Sequence, residues 1–267
     1  MCGLAAVGRG GIEPGMDSLT PTLVVVIIIF SGGAAGLYLH RVLPPSHLTK
    51  ETQEVVRLGI GMISVLSSLV LGLLIANSKS SYDTTDQAVH HYAAELALLN
   101  ETLRDYGADA APTRDVLRKY TETLLSDIWP TGGAAPRLSD AKAAKLMEHV
   151  REAVRALQPA DEGQKWLRDQ ALAINVTLLR ERWLLIGEQD RTVSPMVMVV
   201  LVSWITIIFT SFGLYAPRNA TVFGILLIGA LAIGASIFLI LEMNHPLDGM
   251  LQISSWPLRN VLTQMDW

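Results

Sequence analysis

The sequence predicts an all-α membrane protein in which four transmembrane helices carry an antiparallel helical bundle, inserted between the second and third spans. Three observations support this fold class. The 267-residue chain is 50% apolar and only 17% charged, whereas about a quarter of the residues in a soluble domain are charged. Four segments of roughly spanning length contain no charged side chain. The stretch between the second and third segments holds 15 of the 21 basic and 18 of the 25 acidic residues.

Net charge and cysteine content exclude several other classes of protein. The formal net charge is −4, so no basic excess attracts a phosphate backbone and no nucleic-acid partner is expected. The chain has one cysteine, Cys2, which rules out an internal disulfide or a metal cage built from cysteines. The sequence signatures of hydrolases, zinc proteases and nucleotide-binding loops do not occur in it. We therefore predict neither an enzyme nor a cofactor.

Four uncharged segments have lengths suited to crossing a bilayer. They are Leu23–Leu39, Leu58–Ala76, Pro195–Tyr215 and Ala220–Leu241. A helix needs about 20 mostly apolar residues to cross the hydrocarbon, and it satisfies its own backbone hydrogen bonds there. One such segment is compatible with a buried helix of a soluble protein, but four in one chain favour spanning helices. The predicted surroundings are therefore a lipid bilayer.

The N-terminal tail, residues 1–22, precedes the first pair of spans, residues 23–76. Residues 1–15 are rich in glycine and alanine, and Met16 opens a more natural start, so we expect either a misassigned start or a disordered tail. The first span also resembles a signal-peptide core followed by small residues. No basic residue lies between Arg9 and that span, which favours a retained span.

The predicted water-facing bundle comprises residues 77–194. Its first helix has an apolar seam with a period of 3.5 residues, typical of helices that pack side by side, and Gly107 ends it. The seam consists of Val89, Tyr92, Leu96, Leu99, Leu103 and Tyr106. Residues 77–81 contain no strong helix breaker, so the second span and this helix are predicted to form one rod.

Three further helices complete the predicted bundle. One begins after Pro112 and ends before Pro130, and one begins at a cap formed by Ser139. The last runs from about Asp161 to Gly187. No alternation of apolar and polar residues of the kind found in strands appears.

The second pair of spans, residues 195–241, is joined by a loop so short that its helices form an antiparallel hairpin. Residues 242–267 form a predicted interfacial C-terminal segment, in which a helix over Met250–Leu262 carries apolar and tryptophan residues suited to a membrane surface.

Six basic residues near the span ends lie on the side of the bundle and four on the other side. This thin majority predicts that the bundle is cytoplasmic.

The second span carries the candidate pore lining. Gly61, Ser64, Ser68, Leu71 and Ile75 follow helical spacing, and we call them the second-span stripe. The spans contain no Asp, Glu, Lys, Arg or His, which argues against a proton-driven carrier. A channel, however, is compatible with hydroxyls and an apolar neck, here formed by Leu71 and Ile75. The alternative is close helix packing, because glycine and serine let backbones approach.

Two other features have a predicted role, one in cation binding and one in helix packing. Glu242, Asn244 and Asp248 bring oxygen atoms to the predicted membrane surface, where they suit a hard cation. The alternative is helix termination with local hydrogen bonds. Small-residue pairs in the first and fourth spans, Gly32/Gly36 and Ala230/Gly234, are predicted to serve helix packing.

Several motifs also carry a family resemblance. They include Leu43-Pro44-Pro45-Ser46, Asn77-Ser78-Lys79-Ser80-Ser81-Tyr82, Ile128-Trp129-Pro130, Gly213-Leu214-Tyr215-Ala216-Pro217-Arg218-Asn219 and Ser254-Ser255-Trp256-Pro257. From about Val24 to Leu262 the chain resembles the bestrophin-like family of bacterial membrane proteins. Bestrophins proper are pentameric anion channels whose second span lines the pore. The resemblance implies a homo-oligomer in the bacterial inner membrane that conducts small ions.

The chain departs from bestrophins proper in two respects. It lacks the dense acidic run of their calcium clasp, and its second span contains no Phe, Tyr or Trp to ring the neck. The resemblance therefore does not extend to calcium gating or to the anion selectivity of bestrophins. An alternative function is a non-conducting membrane scaffold or sensor whose helical bundle binds a partner. The seam of the first bundle helix motivates this alternative, although packing of the seam inside the bundle or between subunits is the favoured interpretation.

Overall fold

The computed structural model describes residues 18–44, 47, 49–130, 141–189 and 194–265. Helices are the only regular elements in these ranges, as predicted. The chain divides into two compact units. The membrane unit comprises Met1–Ser80 and Thr192–Asn244, and the bundle unit comprises Ser81–Arg191 and His245–Trp267.

The helices follow one another along the whole described chain. They are α1 (Leu19–Val42), α2 (Lys50–Tyr106), α3 (Ala111–Ile128), α4 (Ala141–Ala156), α5 (Glu162–Gln189), α6 (Pro195–Tyr215), α7 (Ala220–Met243) and α8 (Trp256–Met265), with a 3₁₀ turn at Ala108–Ala110. Helices α1, α2, α6 and α7 are long and apolar enough to cross a membrane. The four predicted spans are therefore confirmed as apolar helices. The predicted rod is also confirmed, because α2 is continuous from the second span into the seam.

The helix ends follow from residues that the sequence places there. Gly107 has a φ of +112°, a conformation that L side chains rarely adopt, and α2 ends at the residue before it. Pro195 begins α6, where its missing N–H costs nothing. The side chain of Asn219 caps α7 by accepting a hydrogen bond from the Val222 amide at 2.9 Å. The expectations for residues 1–15 and the Ser139 cap lie outside the described residues.

In the membrane unit, α1 and α6 touch through their backbones. A Cβ atom built on Gly36 would lie 2.0 Å from the carbonyl oxygen of Thr210, and one built on Gly213 would lie 2.0 Å from the carbonyl oxygen of Gly33. Both distances are far too short for a Cβ atom to be accommodated. Glycine therefore permits this crossing, as the small-residue spacing predicts.

Helix α7 packs on α1 in a similar way. A Cβ on Gly234 would lie 2.2 Å from a methyl group of Val26, and Ala230 is fully buried. Nearer the other end of α1, a Cβ built on Gly33 would lie 3.2 Å from the side chain of Leu226. From one contact to the next, the residue number on α1 rises while that on α7 falls, so the two helices are antiparallel. The packing role predicted for Gly32/Gly36 and Ala230/Gly234 is thus confirmed.

The bundle unit has one apolar core. All six seam residues are buried, with exposures of 2% or less, and they pack with the inward faces of α3, α4 and α5. The hydroxyl groups of Tyr92 and Tyr120 form a hydrogen bond inside this core. The seam is consequently filled by its own chain, which removes it as a docking surface.

The C-terminal segment differs from the prediction. Its helix begins at Trp256, not at Met250, because Pro257 favours the first turn of a helix and the residues before it form a loop. Ile253, Leu258 and Val261 are buried in the core of the bundle unit. The Trp129 indole N–H donates to the carbonyl oxygen of Ile253 at 2.9 Å. These three side chains therefore contact protein, and the predicted helix over residues 250–262 is wrong in its bounds. The interfacial position of the segment stays a prediction.

Candidate functional site

The second span, within α2, is the span least covered by its own chain. Only 6% of its apolar window is buried, against 28–33% in the other three spans. Val70, Leu71 and Leu74 pack against the core of the membrane unit, and the rest of the circumference is largely open. This helix therefore offers more surface to lipid, water or another copy than α1, α6 or α7 does.

One open side of the second span is apolar. Its members recur every three or four residues and are 68–73% exposed. They are Val55, Leu58, Met62, Val65, Leu69 and Leu73. Because an α-helix has 3.6 residues per turn, this spacing places them along one face. We call it the open apolar face.

The second-span stripe lies beside this face, between it and the packed side of the helix. Gly61 and Ser68 are exposed, and Ser64, Leu71 and Ile75 are half-buried. The Ser64 hydroxyl donates to the carbonyl oxygen of Ile60 at 2.8 Å, so it is satisfied within its own helix. A small polar flank thus stays open along a span that is otherwise apolar.

A groove of about 420 Å³ lies between the start of the second span and the end of α6. Sequence reasoning missed most of its walls. The lining residues are Gln53, Val56, Arg57, Ile60, Gly61, Ser64, Ser211, Phe212, Tyr215 and Ala216. One signal for these walls was available in the sequence. Gln53 and Arg57 precede the second span, and Tyr215 ends the third, which is the kind of residue found at a membrane interface.

The predicted surface oxygen set is divided between the two units. Glu242 is buried, with 1% exposure, and Asn244 closes the C-terminus of α7. The Asn244 amide donates to the carbonyl oxygen of Ile240 at 2.8 Å and to the Ser78 hydroxyl at 3.4 Å. Asp248 belongs to the bundle unit. Cation binding by these residues stays a prediction.

Metal ligation has no other candidate in the described ranges. They contain no group of three or more His, Cys, Asp or Glu side chains arranged to hold a metal ion. The His90 ring on α2, which is a potential metal ligand, has a nitrogen 2.9 Å from the carbonyl oxygen of Asp86 in the preceding turn.

The bundle unit contains a buried pair of hydrogen-bonded tyrosine hydroxyls, a contact that the sequence did not predict. Burial raises the pKa of Tyr92 well above its ordinary value, and it raises the pKa of Tyr120. Arg182, 6% exposed, lies close enough to both to oppose those shifts. The two phenols are therefore neutral hydrogen-bonding groups over the physiological pH range.

A model of the Bestrophin-like domain matches residues 27–258 of the chain. The chain belongs to the Bestrophin-like family. The resemblance found in the sequence motifs is thereby confirmed. Curated proteins provide no match to this sequence.

Solved structures agree with this family assignment at the level of the fold. A mutant of a bacterial Bestrophin homolog from Klebsiella pneumoniae has a TM-score of 0.64 and 12% sequence identity, with 94% of this chain and 96% of that chain covered. A structure described as a membrane protein has a TM-score of 0.59 and 11% identity, with 93% and 96% covered. At such identities the likeness concerns the fold alone.

Proposed function

We propose that this Bestrophin-like protein is a homo-oligomeric, channel-like membrane protein that conducts small ions through a pore lined by the second-span stripe. The observation that carries the proposal is the uncovered glycine and serine flank of the second span, beside the open apolar face. Membership in the Bestrophin-like family supports it.

The two open sides of the second span suit different neighbours. An apolar face is compatible with lipid or with the helix of another copy, whereas exposed Gly61 and Ser68 gain nothing from lipid. Several copies arranged around an axis would give the apolar faces partners and turn the stripe toward water. Leu71 and Ile75 would then form an apolar constriction of the kind that gates by dewetting.

Ion flux in liposomes tests conduction. Ser68→Leu adds bulk to the stripe and is expected to lower the flux at least several-fold, while Leu71→Ser opens the neck and raises it. Ala232→Leu also adds bulk, Leu231→Ser makes the same change as Leu71→Ser, and both lie on the exposed side of α7 and should leave the flux unchanged. Light scattering gives the oligomeric state of the same samples. A monomer without flux, or equal effects of stripe and α7 variants, would contradict the proposal.

For localisation, we propose the bacterial inner membrane, with the bundle unit in the cytoplasm. The support is the thin majority of basic residues on the bundle side of the span ends. Cys2→Ser followed by Ser126→Cys, at an exposed position of α3, gives a single reporter thiol. An impermeant maleimide should label it only after the membrane is broken, and labelling of intact spheroplasts would reverse the orientation.

A second candidate function is a scaffold or sensor whose bundle unit binds a partner. It is favoured by four large apolar side chains on α5 that are 61–66% exposed: Trp166, Val176, Trp183 and Leu184. Crosslinking in cells, followed by purification and mass spectrometry, separates the two functions. A scaffold should yield a second protein that Trp183→Ser no longer captures, whereas recovery of this chain alone would count against it.

A further inference from the structure

We propose that the groove between α2 and α6 binds a phospholipid with an anionic headgroup. Arg57 would contact the phosphate, and one acyl chain would lie along the apolar wall. The proposal goes beyond ion conduction and does not depend on it.

The groove changes in character along its length. Gln53, Arg57 and Tyr215 lie toward the ends of their spans, where a bilayer has its headgroups. Ile60 and Phe212 line it farther into the spans. From Arg57 to Ser64 the helix rises by about 10 Å. A polar end followed by an apolar wall matches the order of headgroup and acyl chain in a phospholipid.

The charge of the groove selects the headgroup. Arg57 is the only charged residue among those that line it in the described part of the chain. A guanidinium group binds phosphate through parallel hydrogen bonds, and a long arginine side chain reaches the interface from a position near a span end. A basic residue near a membrane surface contributes about 1 kcal/mol toward an anionic lipid, which is about fivefold in affinity.

The volume of the groove, about 420 Å³, suits part of a lipid molecule. A cavity of this volume lies in the range of small-ligand pockets. The open apolar face lies on another side of α2 and leaves room for copy-to-copy contact there.

The groove and the second-span stripe share Gly61 and Ser64. Ser68, Leu71 and Ile75 do not line the groove. A lipid in the groove would cover Gly61 and Ser64 and leave Ser68, Leu71 and Ile75 as the pore lining. Lipid binding is measured without ion flux, so that each proposal can fail separately.

Native mass spectrometry of the delipidated full-length protein tests the site with phosphatidylglycerol, phosphatidylcholine and inorganic phosphate as probes. The wild type should bind phosphatidylglycerol about fivefold more tightly than phosphatidylcholine. Arg57→Gln should remove this preference. Arg41→Gln, at an exposed arginine of α1 outside the groove, should retain it. Ser211→Trp fills the groove and should reduce the binding of both lipids, while Ala235→Trp on the exposed side of α7 should not.

Three results would overturn the proposal. The first is an unchanged lipid preference in Arg57→Gln. The second is displacement of phosphatidylglycerol by inorganic phosphate at similar concentration, which would make the groove a site for free anions. The third is a change in the number of copies in Ser211→Trp with unaltered lipid binding, which would assign the groove to a second copy.

Discussion

Gly36 of α1 lies so close to Thr210 of α6 that a Cβ atom on the glycine would stand 2.0 Å from the threonine carbonyl oxygen. The helices therefore meet backbone to backbone. Gly213 makes the reciprocal approach to Gly33. Within a bilayer, where apolar burial gives little driving force between helices, such contact is a main source of association.

This contact predicts a large difference between two identical substitutions. Gly36→Val must push α1 away from α6, and we expect it to destabilise the protein by about 3 kcal/mol or more. Gly224→Val on α7 introduces the same side chain where no atom beyond the neighbouring backbone of α7 lies within 4 Å of the new Cβ. Thermal unfolding in detergent should show a lower melting temperature for Gly36→Val alone. Equal effects would mean that the glycine serves helix propensity rather than packing.

The fold was largely predictable from the sequence because its signals are local. Uncharged length marks the spans, Gly107 ends α2, and the seam period places Tyr92 and Tyr106 in a core. The partners of these residues were not predictable, because they depend on contacts between distant segments. Pro257 illustrates the limit: the apolar period suggested an earlier helix, and the proline set its start.

The candidate site was less predictable than the fold. Helical spacing identified the second-span stripe as one side of α2, but spacing alone does not say which side its own chain covers. Likewise, Arg57 and Ser211 are far apart in sequence, and only the packing of α2 beside α6 brings them to the same groove.

The buried hydroxyl pair of the bundle unit predicts a non-additive pair of mutations. Tyr92→Phe or Tyr120→Phe alone leaves the other hydroxyl buried without this partner, at a cost of about 1–3 kcal/mol. Tyr92→Phe combined with Tyr120→Phe should cost less than the sum of the single substitutions. Denaturant unfolding of the wild type, the two single variants and the double variant gives the coupling free energy between the two hydroxyl groups. Strict additivity would show that the hydroxyl groups act independently of each other.

Glu181 on α5 predicts a dependence of stability on pH. Burial, and next the negative charge of Glu95, raise the pKa of Glu181. The unfolded chain therefore loses this proton at a lower pH than the folded chain does. The stability contribution is complete below the ordinary glutamate pKa of about 4.3 and is lost as the pH rises through the folded value. Glu181→Gln should flatten the fall in melting temperature between pH 4 and 7, and Glu152→Gln, at an exposed position, should not. Parallel pH profiles of wild type and Glu181→Gln would contradict this account.

Arg218 ties the α6–α7 loop to the first span. Its guanidinium group donates to the carbonyl oxygen of Leu37 at 3.0 Å, near the C-terminus of α1. The positive charge also lies at the end of the helix where the backbone dipole is negative. We expect Arg218→Gln to lower the free energy of unfolding by about 1–2 kcal/mol, and Arg218→Lys, which retains the charge, to lower it less. Arg41→Gln, an exposed substitution in the last turn of the same helix, is the control in thermal unfolding. A loss as large for Arg41→Gln would assign the effect to charge at the C-terminus of α1 rather than to the Leu37 contact.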